Sequence, residues 1–306
     1  MAKFLEVSPC KQFVRSSEII GEGAFKLVYK AFDAETGRNV AWNVVDLRGK
    51  TDKQKKALRL EIELLRKFAD EPTILTLYHA WETKTEIVFL TELFSTDLFA
   101  YARENPFLRV RHIKKFFLSI LRALTVIQAA GYVHKDVKPH NFFLNSSTKR
   151  IVLGDLGSVE LLATELKSSQ GTAAYLAPEV FEGKYDGKAD IYSFGMSFLS
   201  VLERILPYKE FSNPAQLWKA LILSHHPPLI LEAKWIPPSV RSFVELCISP
   251  DPSNRPSATE LLAHPFWEAT EGNELLLQGR VEPSLETDLE TEEDLLELMA
   301  TLETKE

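Results

Sequence analysis

The chain has 306 residues, 45% of them hydrophobic and 26% charged, which suits a soluble globular protein with room for two lobes around sizeable cores. No apolar run approaches the ~20 residues of a membrane helix, and MAKFLEVSPCKQF lacks a secretory core. The net charge of −7 is uneven: 13 acidic and 2 basic residues fall from Glu268 onward, leaving 30 acidic and 34 basic before it, which makes no case for nucleic-acid binding.

Two cysteines, Cys10 and Cys247, form neither a disulfide framework nor a cysteine-rich zinc site, and with the absence of a leader they point to a reducing, cytoplasmic setting. Residues 1–16 read as an N-terminal extension. Residues 17–47 alternate like strands, with glycines at one turn and ETGR at another. TDKQKKALRLEIELLRKFA (51–69) has helical spacing through Leu58, Ile62 and Leu65. ILTLYHAWE and IVFLTEL read as strands, closing a β-rich lobe over 17–94.

A mainly helical lobe follows over 95–268. RVRHIKKFFLSILRALTVIQAAG is a long helix stopped by Gly131. The loop segments HKDVKPHNFFL and IVLGDLGS come next, then helices through ADIYSFGMSFLSVLERIL, PAQLWKALIL, SVRSFVELCI and SATELLAHPFWEA. Residues 269–306 form an acidic tail. Within it TEEDLLELMATLETKE reads either as a frayed acidic end or as a short helix capped by Thr291, with Leu295, Leu296, Met299 and Leu302 as an apolar stripe that docks a partner or packs on the chain itself.

Three segments carry chemistry together. GEGAF (21–25) is a glycine-rich turn, HKDVKPHN (134–141) sets Asp136, Lys138 and Asn141 at D-x-K-x-x-N spacing, and GDLG (154–157) adds Asp155 ahead of GTAAYLAPE (171–179). In this order they resemble a eukaryotic protein kinase from about Ile19 to Trp267. The resemblance implies an α+β, bilobal kinase fold: a small five-stranded sheet with one main helix, a larger mainly helical lobe, and ATP with Mg²⁺ between them. Phosphoryl transfer is mostly positioning and charge neutralisation. The resemblance makes Asp155 and Asn141 the metal ligands, Asp136 the acceptor of the substrate hydroxyl proton, and Lys138 a neighbour of the transferred phosphoryl group. The lysine of D-x-K and Thr172 match serine/threonine kinases, while Glu179, Arg255 and Asp190 match scaffold positions.

The strand lysine of V-A-I-K is missing, because Val40-Ala41-Trp42 is followed by Asn43. A lysine instead stands where the third glycine of G-x-G-x-x-G-x-V belongs: Gly21, Gly23, Lys26, Val28. Residues two apart in a strand share a face, so Lys26 points the way Val28 does. GAFKLVYKAFDAETGRNVAWN is similar to the with-no-lysine (WNK) serine/threonine kinases. That likeness implies that Lys26 serves the phosphates and pairs Glu61, and that Gly21, Gly23, Val28, Ala41, the gatekeeper Thr91, the hinge residues Glu92 and Phe94, and Phe143 surround the nucleotide. It also implies phosphorylation at Ser168 or Ser169, and a protein substrate that is itself a Ste20-type kinase in ion or osmotic signalling. Lys135 departs from the family's arginine, a weaker partner for a phosphate. The alternative, a pseudokinase scaffold related to the nuclear-receptor-binding proteins, shares the V-x-W-N strand, but the intact Asp136, Asn141 and Asp155 favour catalysis.

Overall fold

Alternation in the first 95 residues builds a six-stranded antiparallel sheet in the order β1-β2-β3-β4-β6-β5. The strands are β1 Phe4–Val7, β2 Phe13–Gly23, β3 Lys26–Asp33, β4 Asn39–Asp46, β5 Leu77–Glu82 and β6 Glu86–Glu92. The computed structural model describes residues 4–23, 26–105, 107–162, 172–208, 228, 231, 235–270 and 272. It divides into two units, one running to Ser95 and one from Thr96. The sheet has six strands rather than the expected five, because Phe4–Val7 pairs with the start of β2 inside the segment read as an extension.

The sheet's two faces bury different clusters. Phe13, Ala31, Val40, Trp42, Val88 and Leu90 pack on one side, where Trp42 meets Trp81 edge-on at 5.0 Å. Val45, Leu47, Ile87 and Phe89 pack on the other against Ile62 of helix α1, Asp52–Lys67. Thr51 starts that helix with a reciprocal cap: the Gln54 amide N–H donates to its hydroxyl, and the Gln54 side chain accepts from its backbone N–H. Arg66 and Lys67 in the last turn complement the helix dipole.

In the second unit α2 (Leu98–Glu104) and α3 (Val110–Ala129) precede α4 (Gly187–Glu203), α5 (Pro238–Cys247) and α6 (Ala258–Leu262). Helix α3 ends as its sequence demands, with Gly131 at φ +85° just past the cap, where a side chain would be strained. Helix α4 is buried at every position from Ala189 to Leu202, so it forms the centre. Phe117 of α3 lies 5.1 Å and 4.8 Å from Phe194 and Phe198 of α4. Helix α5 crosses α4 at Gly195, where a Cβ would stand 2.7 Å from Cys247 Cβ and Ile248 Cγ2. The helix expected over SATELLAHPFWEA is shorter than its pattern, because Pro265 follows His264 and the chain continues as a 3₁₀ turn over Pro265–Trp267. PAQLWKALIL and the acidic segment after Gly272 lie outside the described residues.

Short strands frame the loops between α3 and α4. Strand β9 (Phe142–Leu144) pairs with β7 (Thr96–Asp97) and β10 (Ile151–Leu153), and β8 (Tyr132–Val133) pairs with β11 (Glu160–Leu161). No helix among the described residues is long and apolar enough to cross a membrane.

Candidate active site

In the first unit the strand register decides where Lys26 and Asn43 point. Cross-strand partners run Lys26–Val45–Ile87, Val28–Asn43–Phe89 and Lys30–Ala41–Thr91 over β3, β4 and β6. Alternation then places Lys26, Val28, Ala41, Asn43, Phe89 and Thr91 on one face, the face that α1 covers, with Trp42 on the other. Asn43 is 4% exposed, and its amide donates to the Phe89 carbonyl at 3.2 Å and the Thr91 hydroxyl at 3.4 Å. Both contacts go to β6, so Asn43 ties two strands together with a neutral group.

The Lys26 ammonium lies 4.9 Å from the centre of the Phe89 ring on the same face. Phe89 packs with Ile62 of α1, and Glu61 is buried beside Ile62. Gly21 faces Val28 across the β2–β3 ladder and Gly23 faces Lys26. A Cβ on Gly21 would come to 3.4 Å from Val28 Cβ, so glycine keeps the space above that valine open. Ala24 and Phe25, at the tip of this turn, lie outside the described residues. Glu92 ends β6 with its N–H bound to the Thr76 carbonyl, and Phe94 follows the sheet's last strand.

Among the non-glycine residues of the second unit that hold left-handed backbone, two lie in the motif loops, Lys135 at φ +70° and Asp155 at φ +54°. Each such conformation costs about 1–3 kcal/mol and persists only where the surroundings hold it. Around Lys135, Asp190 of α4 supplies that hold. Its carboxylate accepts the His134 N–H at 2.8 Å, the Lys135 N–H at 3.0 Å and the Tyr185 hydroxyl at 2.8 Å. Burial pushes the Asp190 carboxyl up, opposed by His134 and these hydrogen bonds, and burial with the Asp190 charge pushes the Tyr185 phenol well up. His134 Nδ1 accepts from the Asp136 N–H at 3.3 Å, which leaves Nε2 to donate to the Gly154 carbonyl at 3.1 Å.

Asp136 sits at the centre of a four-residue cluster. The Asn141 amide donates to its backbone carbonyl at 2.8 Å and its Oδ2 at 2.9 Å. Lys138 Nζ lies 3.0 Å from Oδ2 and donates to the Thr172 hydroxyl at 2.7 Å. Thr172 in turn donates its N–H and hydroxyl to Asp136 Oδ1 at 3.2 and 3.3 Å. One carboxylate is thus fixed by an amide, an ammonium and a hydroxyl, the positioning that a proton acceptor needs. Farther out, Glu179 takes both forks of the buried Arg255 guanidinium at 2.5 and 2.8 Å.

Asn141 uses its Nδ2 on Asp136, which presents Oδ1 as the free donor atom of the amide. Asp155 adds a half-buried carboxylate. Among the described residues no group of three or more His, Cys, Asp or Glu side chains could cage a metal. Two protein oxygens fit Mg²⁺, which keeps waters and takes remaining ligands from phosphates. Phe143 is half-buried in β9, paired with Val152 and Asp97. Ser168 and Ser169 lie outside the described residues.

Two residues here were not anticipated in these roles. Thr172 was read only as a mark of kinase class, although its place in GT-x-x-Y-x-APE was the available signal. Glu160 was not singled out, yet it is the ion-pair partner of the buried Lys135 at 3.1 Å.

The protein kinase domain model matches residues 14–267 of the chain. Serine/threonine-protein kinase WNK8 of Arabidopsis thaliana is 35% identical over 273 residues, covering 87% of this chain and 48% of that protein. Probable serine/threonine-protein kinase WNK9 of Oryza sativa subsp. japonica is 35% identical over 272 residues, 86% of this chain and 64% of that protein. Serine/threonine-protein kinase Wnk of Drosophila melanogaster is 33% identical over 287 residues, 91% of this chain and 11% of that protein. The chain therefore spans between 11% and 64% of the length of these curated relatives.

Proposed function

We propose that this chain, which belongs to the protein kinase domain family, is a WNK-type kinase that transfers the γ-phosphate of ATP to serine and threonine hydroxyls of a protein, with Lys26 serving the phosphates. The observation that carries this reading is the division of labour on one sheet face. Asn43 is buried and spends its amide on Phe89 and Thr91, while Lys26 brings an ammonium to the same face. A scaffold without catalysis would have no need of the fixed Asp136, Lys138, Asn141 and Thr172 cluster.

When bound, Mg²⁺ would neutralise phosphate charge, with Asp155 and Asn141 as its protein ligands. Asp136 orients the substrate hydroxyl and takes its proton as that oxygen attacks the γ-phosphorus and the bond to the departing ADP breaks. Lys138, held between Asp136 and Thr172, offsets charge on the moving phosphoryl group. Lys26 holds the phosphates and Glu61 steadies Lys26. Gly21, Gly23, Val28, Ala41, Thr91, Glu92, Phe94 and Phe143 bind the nucleotide.

By the same resemblance we take the protein substrate to be a downstream Ste20-type kinase in cytoplasmic ion or osmotic signalling, with Ser168 and Ser169 as phosphorylation sites. Mg²⁺-dependent phosphate transfer from labelled ATP tests the central reading. Lys26→Met and Asp136→Asn should each abolish transfer, and Asn43→Ala should keep most of it. Transfer that survives Lys26→Met would sink the relocated lysine, and its absence from wild type treated with an upstream kinase would sink the activity itself.

A further inference from the structure

Away from these residues, the second unit holds a cavity of about 500 Å³. Tyr101 at the end of α2, Phe107 and Leu108 in the following loop, Phe116 of α3 and Ile151 of β10 give it apolar walls. His112, Lys115 and Lys149 supply basic groups, and no carboxylate lines it. Phe107 is 76% exposed, an unusual position for a phenylalanine. Lys149 is aligned along the wall, its ammonium 2.8 Å from the Tyr101 hydroxyl and 4.7 Å from the Tyr101 ring centre. Lys115 is exposed and makes no ion pair among the described residues. The cavity therefore suits a ligand that is apolar on one side and anionic along its edges.

We propose that the acidic segment Thr291–Glu303 of this same chain docks in that cavity as an amphipathic helix. The segment contains Glu292, Glu293, Asp294, Glu297 and Glu303 and no basic residue, and its stripe of Leu295, Met299 and Leu302 has the spacing of one helix face. Its charge and its stripe are the complement of the cavity's. The tether also favours this occupant. Ala269 is fastened to α3 itself, its carbonyl accepting from the buried Lys114 ammonium at 2.5 Å, one residue before Lys115 of the cavity wall. The eighteen residues between Gly272 and Thr291 can reach at most roughly 60 Å. That limit is several times the ~10–12 Å diameter of helix α3, which carries both the anchor Lys114 and Lys115 of the cavity wall. A segment tethered so closely reaches an effective concentration on the order of 1 mM, so even a weak contact is occupied.

Hydrogen–deuterium exchange on the full chain tests this. Amides of 291–303 should exchange about tenfold more slowly in the chain than in the same segment as a free peptide, at every protein concentration. The protection should vanish in Lys115→Glu/Lys149→Glu and return when Glu292→Lys, Glu293→Lys and Glu297→Lys are added. Phe107→Ser, at a side chain too exposed to support the fold, should weaken it as well, while α4 amides stay protected in every variant. In about 1 M salt, where the Debye length is ~3 Å, the protection should fall. Unprotected amides in wild type, protection indifferent to both cavity variants, or protection that grows with protein concentration and so reports a second copy would each overturn the proposal.

Discussion

The ammonium of Lys135, wholly buried, lies 3.1 Å from a carboxylate oxygen of Glu160, joining the HKDVKPHN loop to strand β11. Residue 135 is the position where the kinase resemblance leads one to expect an arginine. Here a glutamate of the chain itself already meets the cation. Strand pairing of Glu160 with Val133 fixes the geometry from the backbone side.

Removing one partner strands a buried charge, which is the costly way to break such a pair. Glu160→Gln should lower stability by about 1–2 kcal/mol, the Glu160 side chain being 29% exposed and partly screened. In a Lys135→Met background the same substitution should cost far less. Urea denaturation of the four proteins measures the coupling, and equal losses in both backgrounds would show that the pair contributes nothing.

Asn43 separates stability from chemistry. Its amide bridges β4 and β6 in a closed setting, so Asn43→Ala should cost about 1–3 kcal/mol by leaving the Thr91 and Phe89 oxygens short of a donor. Phosphate transfer per folded molecule should change little. A thermal melt beside an activity measurement at 25 °C makes the comparison, and a loss of transfer with unchanged stability would assign Asn43 to the chemistry instead.

Much of this was legible because motif residues are bound to their chemistry and strands to their period. Counting two residues back from Val28 was enough to put Lys26 on its face, and the β3–β4 register agrees. Asp190 was legible as a scaffold position from DIYSFG, whereas the left-handed backbone of Asp155 was not, since it depends on how the loop is held. The Lys135–Glu160 pair was not legible, since 25 positions separate its members and two-residue strands bring them together. Phe4–Val7 escaped for a related reason: four residues are too few for alternation to speak, and only pairing with β2 makes them a strand.

The acid response of the first unit has a local source. Asp46 at the end of β4 is gripped by the Arg48 guanidinium at 2.6 Å and by the Arg48 N–H at 2.8 Å, and these hydrogen bonds hold its carboxyl down at about 2. A carboxyl lowered in the folded state adds stability above its unfolded value, near 3.8, and that contribution is lost as pH falls toward 2. Arg48→Ala should move the Asp46 titration, followed by NMR, upward toward the ordinary carboxylate range. A midpoint that stays near 2 would leave the residue-48 backbone N–H and the nearby Lys50 charge as its causes.

Thr172 gives the sharpest test of the role proposed for the Asp136 cluster. Its hydroxyl accepts from Lys138 at 2.7 Å and faces Asp136 Oδ1 at 3.3 Å, so one small group sets the distance between the Asp136 carboxylate and the Lys138 ammonium. Misplacing a reacting group by ~1 Å costs up to about a hundredfold, and Thr172→Val keeps the shape while deleting the hydroxyl. We expect kcat to fall by about tenfold to a hundredfold, with KM for ATP little changed. Thr172→Ser keeps the hydroxyl and should restore most of the rate, which a merely structural role for the side chain would not require. If valine is tolerated, the backbone N–H of residue 172, 3.2 Å from Oδ1, is sufficient to orient Asp136, and Lys138 takes its position from Asp136 alone.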